Sequence, residues 1–242
     1  MECVIFRTRR QESNDLKYLS QSPVLPRLLV IGALIGVLAL CGLETAFGLD
    51  FDRLQQALIS RFGPGQAGLL ADWQKMLANG KNATEPDKLR RVNDFFNRRI
   101  VFDDDISIWG QADYWATPIE LIGQGRGDCE DFSIAKYYSL LDLGIPVSKL
   151  RLVYVKARQE GPAGPILQAH MVLAYYATPN ADPLVLDNLN TEIRPASRRT
   201  DLAPIFSFNS AGLWQGTGNQ SSKSNLSRWQ DLLARARAES FE

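Results

Sequence analysis

Histidine is nearly absent from this sequence and cysteine is scarce: the 242 residues hold one His and three Cys. So few thiols exclude a disulfide-built scaffold, and a zinc site made from one Cys and one His would need two carboxylates besides. The chain also lacks an excess of charge of either sign, with 27 Lys+Arg against 27 Asp+Glu. Without surplus cations to displace phosphate counterions, there is no electrostatic case for a nucleic-acid partner. Long apolar runs are missing too. The one sustained uncharged run, Leu28 to Leu43, has 16 residues, short of the roughly 20 that a membrane-crossing helix needs. What remains is an ordinary globular composition with 45% hydrophobic residues.

The apolar run follows Arg7, Arg9, Arg10, Lys17 and Arg27, ends at Glu44, and is trailed by the small residues Ala46 and Gly48. A basic flank, a short apolar core and small residues are the parts of an export signal in their usual order. Residues 1–48 therefore read as a signal peptide, with retention as a membrane anchor the alternative, and 49–242 as one mature domain. Loss of the leader removes Cys3 and Cys41 and leaves Cys129 and His170 as the single thiol and imidazole. A lone thiol in an oxidising compartment is either buried and inert or present for its reactivity.

Apolar spacing of three and four predicts helices over Phe51 to Phe62, Gln66 to Leu77 and Pro86 to Ile100. The stretches Trp109 to Trp115 and Gly123 to Gly127 read as mostly loop, and Asp103 to Asp105 as a solvated acidic segment rather than a metal site. Asp128, a good N-cap residue with Asp131 three positions on, marks the start of a further helix from Cys129 to about Leu143. The period then shortens: Leu150 to Val155, His170 to Tyr176 and Leu184 to Leu189 read as strands. Gly212 to Asn225 reads as a polar connection, before a terminal amphipathic helix around Leu226 to Leu233. Helices first and strands after predict an α+β domain.

A thiol in the first turn of a helix meets free backbone N–H groups and the positive end of the dipole, both of which favour the thiolate. His170 shares a strand face with Val172 and Ala174, and Asp187 shares one with Val185. If the two strands pair antiparallel, His170 and Asp187 lie side by side. Nucleophile, base and orienting carboxylate then stand in the order Cys, His, Asp. The alternative is a buried structural Cys, a His satisfied within its sheet and an Asp at a strand end.

The runs Gly127-Asp128-Cys129-Glu130-Asp131, Gln168-Ala169-His170-Met171-Val172-Leu173 and Leu184-Val185-Leu186-Asp187-Asn188-Leu189 resemble the bacterial transglutaminase-like cysteine proteinases. Within that family they are most similar to the periplasmic proteases that release a large surface adhesin and so control biofilm attachment. The resemblance implies a papain-like, transglutaminase-like fold with a helical N-terminal lobe packed on an antiparallel sheet. It implies a Cys129, His170, Asp187 triad, endopeptidase activity on the adhesin's N-terminal region at a small-residue site, and sequestration by an inner-membrane cyclic-di-GMP receptor. Trp109, Tyr114 and Trp115 are candidates for crowding the groove around such a site.

The resemblance also implies calcium dependence, with ligands at Asp128 and Glu130; Asp131 is either a third ligand or a capping partner. Three acidic residues within two positions of the thiol each oppose its ionisation. At about 7 Å and an effective dielectric of about 20, each costs about 2 kcal/mol, more together than a helix dipole supplies. A bound Ca²⁺ would neutralise them. An oxyanion hole is expected from the Cys129 N–H and a donor of the preceding loop, with Trp115 and Gln124 as candidates. Two other readings stay open: an amide acyltransferase using the same triad, and a non-catalytic binding domain.

Overall fold

The structure is a computed structural model that describes residues 49–242 apart from 163, 219, 220, 223–225, 240 and 242. The expected leader lies outside the described residues. Among the described residues, no helix is long and apolar enough to cross a membrane.

Three amphipathic helices come first: α1 (Phe51–Phe62), α2 (Ala67–Gly80) and α3 (Glu85–Arg99). Asp50 Oδ1 accepts the Arg53 N–H at the start of α1, and Thr84 Oγ1 accepts the Asp87 N–H at the start of α3. Their apolar stripes, with Leu54, Leu58, Trp73, Leu77, Leu89, Val92 and Phe96, are buried in the main core.

The next stretch departs from its expected loop character. Strand β1 (Val101–Phe102) pairs in parallel with β2 (Arg126–Gly127), and between them stand α4 (Asp105–Trp109) and α5 (Pro118–Gln124). Thr117 and Glu120 form a reciprocal capping box around Pro118, and Ile119, Leu121 and Ile122 are buried. The glycines after Ile122 mask this signal in the sequence. The expectation of a solvated acidic segment is likewise corrected at its last residue: Asp105 is only 4% exposed.

Helix α6 (Cys129–Asp142) is buried on nearly every side. Its few polar side chains have work inside the core. Ser133 Oγ donates to the Met171 carbonyl at 3.0 Å, and Trp73 Nε1–H donates to Ser139 Oγ at 2.9 Å. The first of these bonds fixes the helix against the residue that follows His170.

A seven-stranded antiparallel sheet follows, in the order β6 (Arg194–Pro195), β5 (Leu184–Leu186), β4 (Gly164–Tyr175), β3 (Leu150–Gly161), β7 (Leu202–Asn209), β8 (Gly212–Gln215), β9 (Ser221–Ser222). The expected connection after Gly212 thus contains two strands, too short and too Gly/Ser-rich to show a period of two. Leu152, Met171, Leu173 and Leu186 point into the helical core, whereas Val153, Val155, Val172, Ala174 and Val185 form a smaller cluster of their own. Helix α7 (Ser227–Ala238) closes the fold with Trp229, Leu232, Leu233 and Ala236 buried. Arg235 and Arg61 both pair with the buried Glu120, tying α7 to α1 and α5.

Candidate active site

Strands β4 and β5 pair only from Leu173↔Leu186 to Tyr175↔Leu184. Just beyond that ladder the chain brings His170 and Asp187 together: Nε2 and Oδ1 are 2.8 Å apart, with both side chains almost fully buried. Asp187 is held on all sides. Oδ1 also accepts the Leu189 N–H at 3.0 Å, and Oδ2 accepts Arg199 Nη2 at 2.7 Å. Burial pushes the carboxyl up, but the hydrogen bond and charge of His170, then Arg199 and Leu189, outweigh it and bring it down to about 2.

Cys129 opens α6, half-buried, in the same cavity of about 280 Å³ that His170 lines. Its Sγ lies 2.6 Å from Glu130 Oε2. Burial and then the Glu130 carboxylate raise the thiol well above its ordinary value, with Asp128 adding to this and the Met171 backbone bond opposing it. Both effects favour the protonated thiol, the direction in which the acidic residues flanking it in the sequence act.

The neighbouring carboxylates form two groups. Asp128, Cys129 and Glu130 converge in one, and Asp105, Asp128 and Asp131 in the other, with ligand atoms within 4.8 Å of one another in each. Asp131 Oδ1 accepts the Ala116 N–H at 2.7 Å and Oδ2 the Asp128 N–H at 3.4 Å. It thus caps the helix and faces the acidic cluster at once. Asp105 Oδ2 accepts the Tyr114 N–H. Asp105 Oδ1 and Asp128 Oδ1 are buried with no hydrogen-bond partner. Burial, opposed by the Tyr114 N–H and reinforced by Glu130, pushes Asp105 to about 6. Burial and the charges of Glu130, Asp131 and Asp105 push Asp128 to about 9. Buried carboxylate oxygens without hydrogen-bond partners, crowded together, are hard donors, and they fit a Ca²⁺-type site.

Other expected residues lie elsewhere. The Trp115 ring is buried and stacked on Phe208; its Nε1–H donates to Asp113 Oδ1 at 3.0 Å and its carbonyl accepts from Arg235. Gln124 ends α5. Neither lines the cavity of Cys129 and His170, and nor do Trp109 and Tyr114; Phe102, Tyr154 and Leu189 do. Arg199 was not foreseen, because an Arg198-Arg199 pair reads as solvated surface. Asp105 was passed over because its burial comes from α4, which the local sequence does not announce.

The sequence profile of the bacterial transglutaminase-like cysteine proteinases matches residues 72–206. The chain belongs to that family. It is similar to solved structures of LapG from Legionella pneumophila. The calcium-bound form is 36% identical, with 77% of this chain and 99% of that one covered and a TM-score of 0.65. The EGTA-treated form is 34% identical, with 78% and 99% covered and a TM-score of 0.65. A third LapG structure is 37% identical, with 78% and 99% covered and a TM-score of 0.64. No curated protein matches. Family and neighbours make this chain a cysteine protease of transglutaminase-like fold.

Proposed function

We propose that this cysteine protease is a calcium-dependent periplasmic endopeptidase whose catalytic residues are Cys129, His170 and Asp187. The observation that carries the reading is the buried His170–Asp187 hydrogen bond at the wall of the cavity holding the only described cysteine. With Nε2 committed to Asp187, Nδ1 is the ring nitrogen left to serve the thiol. His170 takes the thiol proton, Sγ attacks the scissile carbonyl carbon, and the C–N bond breaks as His170 returns the proton to the leaving amine. Water, deprotonated by the same imidazole, then cleaves the thioester to a free carboxylate and regenerates the thiol. On this reading the Cys129 N–H at the helix start stabilises the oxyanion.

Asp105, Asp128 and Asp131 would hold the cation, with Glu130 facing the thiol beside them. When bound, calcium supplies positive charge that offsets these carboxylates. The calcium-bound and EGTA-treated LapG structures support this choice of ion. Asp131 meanwhile ties the Ala116 loop to the helix start, so ordering of the cluster orders the nucleophile's own turn.

The likeness to LapG and the motifs around the three catalytic residues support a specific substrate, the N-terminal region of a large surface adhesin cut at a small-residue site. They support the same control, sequestration by a cyclic-di-GMP receptor of the inner membrane. Residues 1–48 are then the export signal. A purified adhesin N-terminal fragment should be cut by the wild type with Ca²⁺ and left whole with chelator or by Cys129→Ala. Cleavage by Cys129→Ala, or cleavage indifferent to chelation, overturns the reading. Covalent conjugates with an added amine would identify an acyltransferase instead.

A further inference from the structure

Arg199 is 4% exposed, although nothing in its sequence neighbourhood calls for a buried cation. Its Nη2 bonds Asp187 Oδ2 at 2.7 Å and Asp201 Oδ2 at 2.8 Å, while Nε bonds Asp201 Oδ1 at 2.9 Å. The guanidinium is therefore shared between two carboxylates, one of which holds the imidazole. On one side it borders a cavity of about 90 Å³ lined by Val155, Val172, Val185 and Leu202, so its charge is poorly screened. A buried ion pair gives little net stability over apolar side chains of the same volume. Its presence against Asp187 asks for another reason.

We propose that Arg199 is a positioning residue of the catalytic centre. It clamps the far oxygen of Asp187 so that the near oxygen stays on His170 Nε2, and it draws off part of the carboxylate charge that would otherwise over-stabilise the imidazolium. This rests on the triad reading above. The planar fork is what allows one cation to bond Asp187 and Asp201 at fixed angles, which an ammonium does not do. Asp187 is also faced by Lys136 from α6, whose Nζ is buried without a hydrogen-bond partner and acts on it through charge alone. Among the described residues, Arg199 is thus the cation that hydrogen-bonds the carboxylate and fixes its orientation, and Lys136 acts only through its charge.

The test uses the full chain with Arg199→Met, Arg199→Lys and the parent, in two readouts. On the adhesin fragment with Ca²⁺, Arg199→Met should lower kcat about 100-fold with KM within twofold, since a misplaced base costs the chemical step and not binding. Because the chain has a single histidine, ring NMR reads His170 directly. In a Cys129→Ala background, the midpoint of its titration should move about one pH unit higher in Arg199→Met than in the parent, as removal of a nearby cation demands. Arg199→Lys should restore that midpoint but only part of kcat. A folded Arg199→Met with parental kcat and midpoint overturns the proposal. If Arg199→Met does not fold, Arg199→Lys decides: reduced kcat at constant KM supports the clamp, and parental kcat overturns it. Failure of Cys129 to matter for cleavage would sink the triad reading, whereas the NMR midpoint still judges the Arg199 contact.

Discussion

Asp187→Asn is the perturbation whose outcome the geometry constrains most. The carboxylate presents one oxygen to His170 and the other to Arg199, at 2.8 and 2.7 Å. Asn has one oxygen and one NH₂ group to place at these two positions. Arg199 is a permanent donor, so the amide oxygen turns toward it and the NH₂ toward His170. Nε2 must then accept, the ring proton moves to Nδ1, and the nitrogen that should take the thiol proton already carries one. The corresponding exchange in a serine-protease triad costs about 10⁴ in kcat, and a loss of that order is expected here. Stability falls as well. Displacement of the Asp187 carboxyl from an ordinary 3.8 to about 2 corresponds to about 2 kcal/mol in favour of the ionised form in the fold. Losing it should lower Tm by about 5 °C for a domain of this size. Cleavage assays on the adhesin fragment, with thermal melts as the folding control, read both. A folded Asp187→Asn enzyme with kcat within tenfold of wild type would refute the tautomer argument.

The acidic cluster makes calcium removal pH-dependent. A carboxyl raised in the fold contributes stability below its unfolded value near 4 and loses it as pH climbs through the folded values, about 6 for Asp105 and about 9 for Asp128. Calcium should therefore raise Tm more at pH 8 than at pH 5, and equal increments by scanning fluorimetry would contradict this. Asp105→Asn should weaken calcium affinity at least tenfold by calorimetry, and an unchanged affinity would remove Asp105 from the ligand set. Glu120 accepts from Arg61, Arg235, Tyr114 and the Thr117 N–H. Its replacement by Ala takes one carboxylate from Arg61, which keeps Glu239, and from Arg235, which keeps Asp231 and the Trp115 carbonyl, and should cost about 2 kcal/mol in urea unfolding; a loss below about 0.5 kcal/mol would show that the network is dispensable.

Much of this architecture was legible because single residues carried strong local signals. Asp128 and Asp131 mark a helix start by cap chemistry alone, and Cys129 falls at its first position. Alternation in β4 and β5 put His170 with Val172 and Ala174 and Asp187 with Val185, and these valines and alanine do share one face. What stayed hidden depends on long-range packing. Asp105 looks like its neighbours Asp103 and Asp104 until α4 turns it inward onto the Tyr114 N–H. Arg199 becomes informative only when its loop folds over β5 to meet Asp187. Trp115, expected near the reacting atoms, is drawn into the core by stacking on Phe208 from β7, a pairing across 93 residues that no local pattern encodes.

Alkylation of Cys129 in the calcium-loaded protein tests the convergence of thiol and imidazole most directly. Iodoacetamide labelling, mapped to Cys129 by peptide mass at pH 6.5, should run at least tenfold faster in the wild type than in His170→Ala, because the imidazole is what turns the thiol into thiolate. Equal rates in the two proteins would mean that His170 does not serve Cys129.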